Sequence, residues 1–143
     1  FNLALACDLI VCSADARFCQ VFLQRGVAPD VGGAYLLPRL VGMQRAKELM
    51  LLGDELPART ALDMGLVNAV LPTVEQAHQR AVELAGRLAA TPRYAVAQTK
   101  KLINAGSSGT LAAFLDLEAA VQSTLLRSSA ARESFDRFLN RRG

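Results

Sequence analysis

The sequence has few of the residues from which metal and nucleophilic sites are built. Its 143 residues include one histidine, His78, and three cysteines, Cys7, Cys12 and Cys19. The number of cysteines is odd and no two of them form a Cys-x-x-Cys pair, so no zinc site is predicted. A nucleophilic Ser/His or Cys/His arrangement would need His78, and no nucleophile is identified beside it. We therefore expect no metal, and reduced buried thiols typical of a cytoplasmic protein.

Long apolar runs and a strong charge of one sign are also absent. No uninterrupted apolar stretch approaches the roughly 20 residues that span a bilayer, so no membrane partner is expected. No basic region precedes the apolar start at Phe1, as a signal peptide would require, and we interpret Phe1 as an interior start of a longer protein. A formal charge of +3 is too small to indicate nucleic acid binding by itself. The 52% of hydrophobic and 20% of charged residues fit a soluble globular domain with a real core.

The positive charge is concentrated at the C-terminal end. Five arginines stand there against two acids: Arg127, Arg132, Arg137, Arg141 and Arg142 against Glu133 and Asp136. Such an end fits contact with phosphate, of a nucleotide cofactor or of nucleic acid, and equally fits an ordinary solvated helix face.

One acid, Asp30, lies in a run rich in glycine and proline that extends from Arg25 to Gly42. Gly26, Gly32 and Gly33 permit tight turns, and Pro38 is expected to limit any helix before it. A lone carboxylate on a preformed loop beside an apolar segment suits a general acid or base. The alternative is a solvated turn aspartate, since aspartate is common in turns.

The pattern of apolar residues predicts a few α/β units followed by helices. Strands are expected at Leu9–Cys12, over residues 17–24 and at Leu66–Leu71, with helices over residues 2–7, 43–52 and 58–64. Gly53 is expected to end the second of these helices. After Pro72 the chain is predicted to be helical, with a capping box at Thr73 and a cap at Thr110. The latter helix carries an apolar face expected to be buried: Phe114, Leu117, Val121 and Leu125.

Several short strings resemble the enoyl-CoA hydratase/isomerase (crotonase) family, in the family's order and spacing. The resemblance covers essentially the whole chain and its motifs are specific. The strings are Ala6-Cys-Asp8, Ala14-Asp-Ala-Arg-Phe18, Pro29-Asp-Val-Gly-Gly33, Leu37-Pro-Arg-Leu-Val-Gly42 and Met64-Gly-Leu-Val-Asn68.

The resemblance implies a fold, an assembly and a substrate class. Residues 1–72 would form the C-terminal part of the crotonase ββα spiral, and residues 73–143 a helical region that packs in a homotrimer or hexamer. The substrate would be an acyl-CoA thioester, with no separate cofactor because coenzyme A is part of the substrate. Two backbone N–H groups would stabilise an enolate-like thioester oxygen, and both would lie before Phe1.

The resemblance also favours isomerisation over hydration. Asn2 and Phe22 stand at the positions of the two glutamates with which the family's hydratases place and activate water. An acid at the position of Asp30 shuttles a proton in the isomerase branches, and the string around it most resembles ring-epoxide phenylacetyl-CoA isomerases. Phe22, Val27 and Val31 would form an apolar wall that desolvates this acid.

Other expectations follow from the same resemblance. Arg141 or Arg142 would lie near the nucleotide phosphate of coenzyme A, and Phe22 and Val27 near the acyl group. Residues 1–143 alone are expected to be inactive, because the oxyanion donors are not among them. Two alternatives stay open: an enoyl-CoA hydratase of fatty-acid β-oxidation, and a non-catalytic acyl-CoA binding or assembly subunit.

Overall fold

The structure is a computed structural model that describes residues 1–140. The chain divides into two compact units, Phe1–Leu84 and Ala85–Gly143. The first unit contains all the described strands, and the second is helical. The predicted order, α/β elements followed by helices, is confirmed.

Up to residue 73, the first unit consists of short elements joined by turns. In chain order they are helix α1 (Asn2–Leu5), strands β1 (Val11–Ser13) and β2 (Arg17–Phe18), a 3-10 helix (Leu23–Arg25), helices α2 (Gly33–Val41) and α3 (Met43–Leu52), strand β3 (Leu56–Pro57), helix α4 (Ala58–Asp63) and strand β4 (Ala69–Leu71).

The four strands form two separate pairs. Strand β1 runs parallel to β4, with Val11 opposite Ala69, and β2 runs antiparallel to β3, with Phe18 opposite Leu56. Strand β1 was predicted to start at Leu9 but starts two residues later, at Val11. The reason is that the Ile10 amide donates to the Asn68 side-chain oxygen (2.7 Å) and not to the backbone of a neighbouring strand.

Residues 17–24 were expected to be extended, and beyond Phe18 that prediction is wrong. Phe18 lies opposite Leu56, the first residue of the antiparallel partner β3, so the pairing ends where β3 begins. The chain instead turns and enters the 3-10 helix, which ends at Gly26 in the left-handed conformation (φ 73°).

Helix α2 runs through Pro38, so the prediction that this proline limits the preceding helix is wrong. The neighbouring side chain, Leu37, is completely buried, and the burial of this face stabilises the helix. Proline leaves one carbonyl without its helical donor, but the helix closes normally because the Gly42 amide donates to the Pro38 carbonyl (3.0 Å).

A single cluster of buried apolar side chains forms the core of the first unit. Helices α1, α2, α3 and α4, strand β3 and the segment before β4 all contribute to it. Its members are Leu5, Leu37, Ala46, Met50, Leu56, Ala61, Leu66 and Val67.

The helices of the C-terminal region are α5 (Val74–Ala89), α6 (Arg93–Gly106), α7 (Leu111–Leu126) and α8 (Ser129–Asn140). Two predicted caps are confirmed by hydrogen bonds. The Thr73 hydroxyl accepts from the Gln76 amide (3.3 Å), and the Thr110 hydroxyl accepts from the Ala113 amide (3.3 Å). Each hydroxyl satisfies one of the amides that a helix start leaves free.

The expected apolar face of α7 is only partly buried by the described residues. Val121 is buried, whereas Phe114, Leu117 and Leu125 are half-buried. The ring of Phe114 packs close to Gly106 at the end of α6. A Cβ added at Gly106 would lie 3.3 Å from Cε2 of Phe114.

No described helix is both long enough and apolar enough to cross a membrane.

Candidate functional site

The candidate site is the Asp30 loop, residues 26–33, between the 3-10 helix and α2. Asp30 is exposed, and within residues 1–140 its carboxylate forms no hydrogen bond or ion pair. A carboxylate that is not held by another group is available to exchange a proton with a bound molecule. The position of this side chain therefore depends on the backbone that carries it.

The backbone after Asp30 makes a strained turn. Val31 has a φ of 48° and Gly32 a φ of 72°, so two consecutive residues are left-handed. Glycine adopts this conformation readily, whereas a β-branched residue does so rarely and at a cost of about 1–3 kcal/mol. The turn closes with a hydrogen bond from the Gly33 amide to the Asp30 carbonyl (2.9 Å), and α2 begins at Gly33.

A second hydrogen bond reaches the same carbonyl from the start of the chain. The Asn2 side chain donates from Nδ2 to the Asp30 carbonyl oxygen (3.0 Å). Asn2 is 97% buried, with an exposed fraction of 3%. The residue expected at the first glutamate's position therefore contacts the loop that carries the candidate acid.

Gln20 completes a chain of side-chain contacts that sequence reasoning missed. It is 1% exposed, and its Nε2 donates to Asn2 Oδ1 (2.7 Å). Its own Oε1 is buried and has no hydrogen-bond partner among residues 1–140. No local pattern signals these contacts, because Gln20, Asn2 and Asp30 are far apart in the sequence.

Gly33 is required here for a different reason from Gly32. Its φ is not left-handed, but a Cβ at Gly33 would overlap the Asn2 amide group. Gly33 thus lets the first turn of α2 approach the buried Asn2 side chain closely.

The expected apolar wall does not bury the acid within these residues. Phe22 is half-buried, and its carbonyl accepts from the amides of Arg25 (3.0 Å) and Val27 (3.1 Å), which fixes the loop entrance. Val27 is 56% and Val31 is 53% exposed. The described residues therefore leave Asp30 solvated.

Arg141 and Arg142, the expected phosphate contacts, lie outside the described residues.

The other candidate chemistry of the sequence is not assembled in the described structure. Across residues 1–140, no group of three or more His, Cys, Asp or Glu side chains is placed to hold a metal ion. Cys7, Cys12 and Cys19 are free thiols. Cys7 is exposed, which corrects the expectation of buried thiols, while partial burial raises the pKa of Cys12 by desolvation.

A groove of about 580 Å³ lies in the second unit, between the end of α5 and the start of α6. Apolar side chains such as Leu88 and Val96 line it, together with Arg93 and Lys100. Its lining contains no carboxylate, so it supplies no acid or base of the kind that Asp30 provides.

Comparison with known proteins gives one consistent result. The family profile described as enoyl-CoA hydratase/isomerase matches residues 1–143. A probable enoyl-CoA hydratase of Rhodobacter capsulatus is 40% identical over 99% of the chain and 54% of its own length. The 1,2-epoxyphenylacetyl-CoA isomerase of Escherichia coli is 37% identical over 99% of the chain and 53% of its own length.

Solved structures agree with the sequence relatives. A putative enoyl-CoA hydratase/isomerase from Mycobacterium abscessus superposes with a TM-score of 0.94 and 34% identity, over 98% of this chain and 54% of its own chain. The chain spans about half the length of the curated relatives it matches. The match to the family profile along its whole length shows that this chain belongs to the enoyl-CoA hydratase/isomerase family, and that its elements are a part of the crotonase fold.

Proposed function

We propose that the protein containing these residues isomerises an acyl-CoA thioester and that Asp30 is its acid and base. The observation that carries this proposal is an exposed Asp30 carboxylate, unpaired within residues 1–140, on a loop whose backbone is held by Asn2. The side chain is free to move a proton while its carbonyl is fixed. This combination suits general acid–base catalysis, which needs a mobile proton and a defined geometry.

A single carboxylate is sufficient for a 1,3-proton shift. The Asp30 carboxylate takes a proton from C2 of a 3-enoyl thioester, and the electron pair moves onto the thioester oxygen. The carboxylic acid then returns the proton to C4, and the double bond moves to C2–C3. No oxidant or water is consumed, and Asp30 ends ionised as it began. The family's oxyanion donors would stabilise the enolate.

The residues at the hydratase positions do not favour the addition of water. Asn2 is an amide whose two polar ends are both engaged, by Asp30 and by Gln20. Phe22 carries no titratable group. Neither side chain can activate a water molecule as a carboxylate does. The similarity to a 1,2-epoxyphenylacetyl-CoA isomerase supports the same class, and the similarity to a probable hydratase keeps hydration as the alternative.

Further parts of the proposal concern the substrate and the assembly. Phe22 and Val27 would contact the acyl group, and Arg141 and Arg142 the phosphate of coenzyme A. The chain would act in a homotrimer or hexamer, with no cofactor besides the substrate and no nucleic acid or membrane partner. The free thiols support a location in the cytoplasm.

The test is Asp30→Asn in the protein that contains these residues, assayed with 3-enoyl-CoA and 2-enoyl-CoA in deuterium oxide. The amide keeps the size of the side chain but cannot take a proton. The kcat for double-bond migration should fall about 10²–10⁴-fold while acyl-CoA binding changes little. Asp54→Asn, which removes another exposed acid, is the charge-matched control and should keep wild-type kcat.

The products separate the alternatives. Isomerisation gives a shifted double bond with solvent deuterium in the acyl chain, whereas hydration gives a 3-hydroxyacyl-CoA that chromatography resolves. Binding without turnover by the wild type would favour a non-catalytic subunit. Wild-type kcat in Asp30→Asn would remove Asp30 from the mechanism. Residues 1–143 alone are expected to turn over neither substrate.

A further inference from the structure

We propose that Asn2 and Gln20 form a buried amide pair that positions the backbone of Asp30 for proton transfer. This inference deepens the proposed function and rests on it. Neither amide would touch the substrate or the moving proton. Both act through the carbonyl of Asp30, so they are positioning residues.

The hydrogen bonds of the pair have one possible direction. A backbone carbonyl only accepts, so Asn2 must present its NH2 group to Asp30 (3.0 Å). Its Oδ1 then faces Gln20 and accepts from Nε2 (2.7 Å). If either side-chain amide were flipped by 180°, two acceptors or two donors would face each other and a hydrogen bond would be lost. The contact with Asp30 therefore fixes the orientation of both side chains.

Burial makes this pair stiff. Asn2 is 3% and Gln20 is 1% exposed, so water cannot replace the hydrogen bonds when they lengthen. A hydrogen bond in such surroundings is stronger than one at the surface, and consecutive bonds polarise each other. The contact of Gly33 with the Asn2 amide closes the remaining space on that side. The Asp30 carbonyl therefore has little freedom to move.

The Asp30 loop needs such an anchor because its turn is strained. Val31 is β-branched and left-handed, with a φ of 48°. Without the second hydrogen bond to the Asp30 carbonyl, the turn could relax to an extended conformation that Val31 prefers. That relaxation would rotate the peptide next to Asp30 and displace its carboxylate. The amide pair opposes it from outside the loop.

The Oε1 of Gln20, which has no partner within the described part of the chain, is a second sign of a positional role. A buried acceptor without a partner lowers the stability of a fold. A methionine of similar length would remove this acceptor, but it could not donate to Asn2 Oδ1. The glutamine thus keeps a donor at the pair, while its Oε1 has no hydrogen-bond partner in residues 1–140.

The experiment compares Gln20→Met with Gln24→Met in the protein that contains these residues. Gln24 is the matched control, because its Nε2 donates to the Gly53 carbonyl (3.1 Å), an anchor for α3 and not for Asp30. Asn2→Leu is the stronger variant of the pair. Each variant is measured for kcat, for KM and for hydrogen exchange of the Gly33 amide, which bonds the Asp30 carbonyl (2.9 Å).

We expect Gln20→Met and Asn2→Leu to lower kcat by about 10–100-fold with KM nearly unchanged, since small displacements of a reacting group have effects of this size. Exchange of the Gly33 amide should quicken at least about tenfold in both. Gln24→Met should change neither kcat nor the exchange of the Gly33 amide. If Asn2→Leu does not fold, Gln20→Met still carries the comparison.

Two outcomes would overturn the inference. Unchanged Gly33 exchange in a folded Asn2→Leu or Gln20→Met protein would show that the pair does not hold the loop. If Gln24→Met lowered kcat as much as Gln20→Met does, the effect of the amide pair on kcat would be one of general stability. If Asp30→Asn keeps wild-type kcat, the proposed function fails on its own, whatever the exchange of Gly33 shows about the anchor.

Discussion

Gly33 lies so close to Asn2 that the space of a single methyl group is taken by the Asn2 amide. The two residues are on different helices of the first unit, at the start of α2 and in the single turn of α1. Their contact joins the loop that carries the candidate acid to the buried amide behind it. Glycine is required at this position by packing and not by backbone conformation.

Gly33→Ala should therefore destabilise the protein. The new Cβ would displace the Asn2 amide and its hydrogen bond to Asp30, and overpacking of this kind costs about 1–3 kcal/mol. Gly86→Ala is the matched control, because this residue lies inside α5 and a Cβ there would meet no atom of residues 1–140 within 4 Å. There alanine should stabilise by about 0.5–1 kcal/mol through its higher helix propensity. Urea unfolding of both variants measures the difference, and equal midpoints would contradict the close contact.

Phe114→Ala tests how α7 is covered. The ring is half-buried and packs near Gly106, so truncation should cost about 2 kcal/mol, less than the 3–5 kcal/mol of a fully buried ring. Leu115→Ala is the control one residue along the helix, where the side chain is 49% exposed. Its loss should be smaller, about 1 kcal/mol.

The size of the Phe114→Ala effect in thermal or urea unfolding has a direct interpretation. A loss of 3–5 kcal/mol, roughly the range for full burial, would indicate that residues outside 1–140 or another subunit cover the ring. A loss within about 0.5 kcal/mol would contradict the packing of Phe114 on α6.

Local patterns predicted the helices of this chain better than its strands. Helix α3 ends at Gly53 as expected, because a left-handed residue (φ 68°) is best supplied by glycine. Thr110 caps α7 because the hydroxyl and the free amide are three residues apart. Both signals lie within a few residues, so the sequence alone is sufficient to find them.

The strands and the site depend on distant partners, which no short pattern reveals. Strand β2 stops at Phe18 because its antiparallel partner begins at Leu56, and that partner follows almost forty residues later. Asp30 was found through its glycine-rich loop, but Gln20 was not found at all. The contact of Asn2 with Asp30 crosses 28 positions and that with Gln20 crosses 18.

The pKa of Asp15 gives a prediction with a definite sign. The Ser13 hydroxyl, the residue's own backbone N–H and, to a smaller extent, the charge of Arg17 hold the pKa of this carboxyl below its ordinary value. Because the folded pKa is the lower one, the ionised group stabilises the fold above the unfolded pKa. That contribution is lost as the pH falls through the folded pKa.

Ser13→Ala should accordingly raise the Asp15 pKa toward its ordinary value and reduce the acid resistance of the fold. Arg17→Ala is the comparison and should raise this pKa less, because the arginine is the weakest of the contributors. Carbon-detected NMR titration of the Asp15 carboxyl measures both. An unchanged midpoint in Ser13→Ala would show that the hydroxyl does not donate to this carboxylate in solution.

The last prediction concerns Arg141 and Arg142, the proposed contacts of the coenzyme A phosphate. Arginine suits phosphate because its planar guanidinium donates two parallel hydrogen bonds. Alanine at both positions should weaken binding of an acyl-CoA ester and flatten its dependence on salt, since screened ionic contacts are lost. Removing Arg59 and Arg80 by the same change is the charge-matched control, because these arginines are paired with Asp63 and Glu83. Calorimetric titration at low and high salt distinguishes the two double variants. If both weaken binding equally, the effect is one of net charge, and if neither does so at low salt, the two C-terminal arginines are ordinary solvated charges.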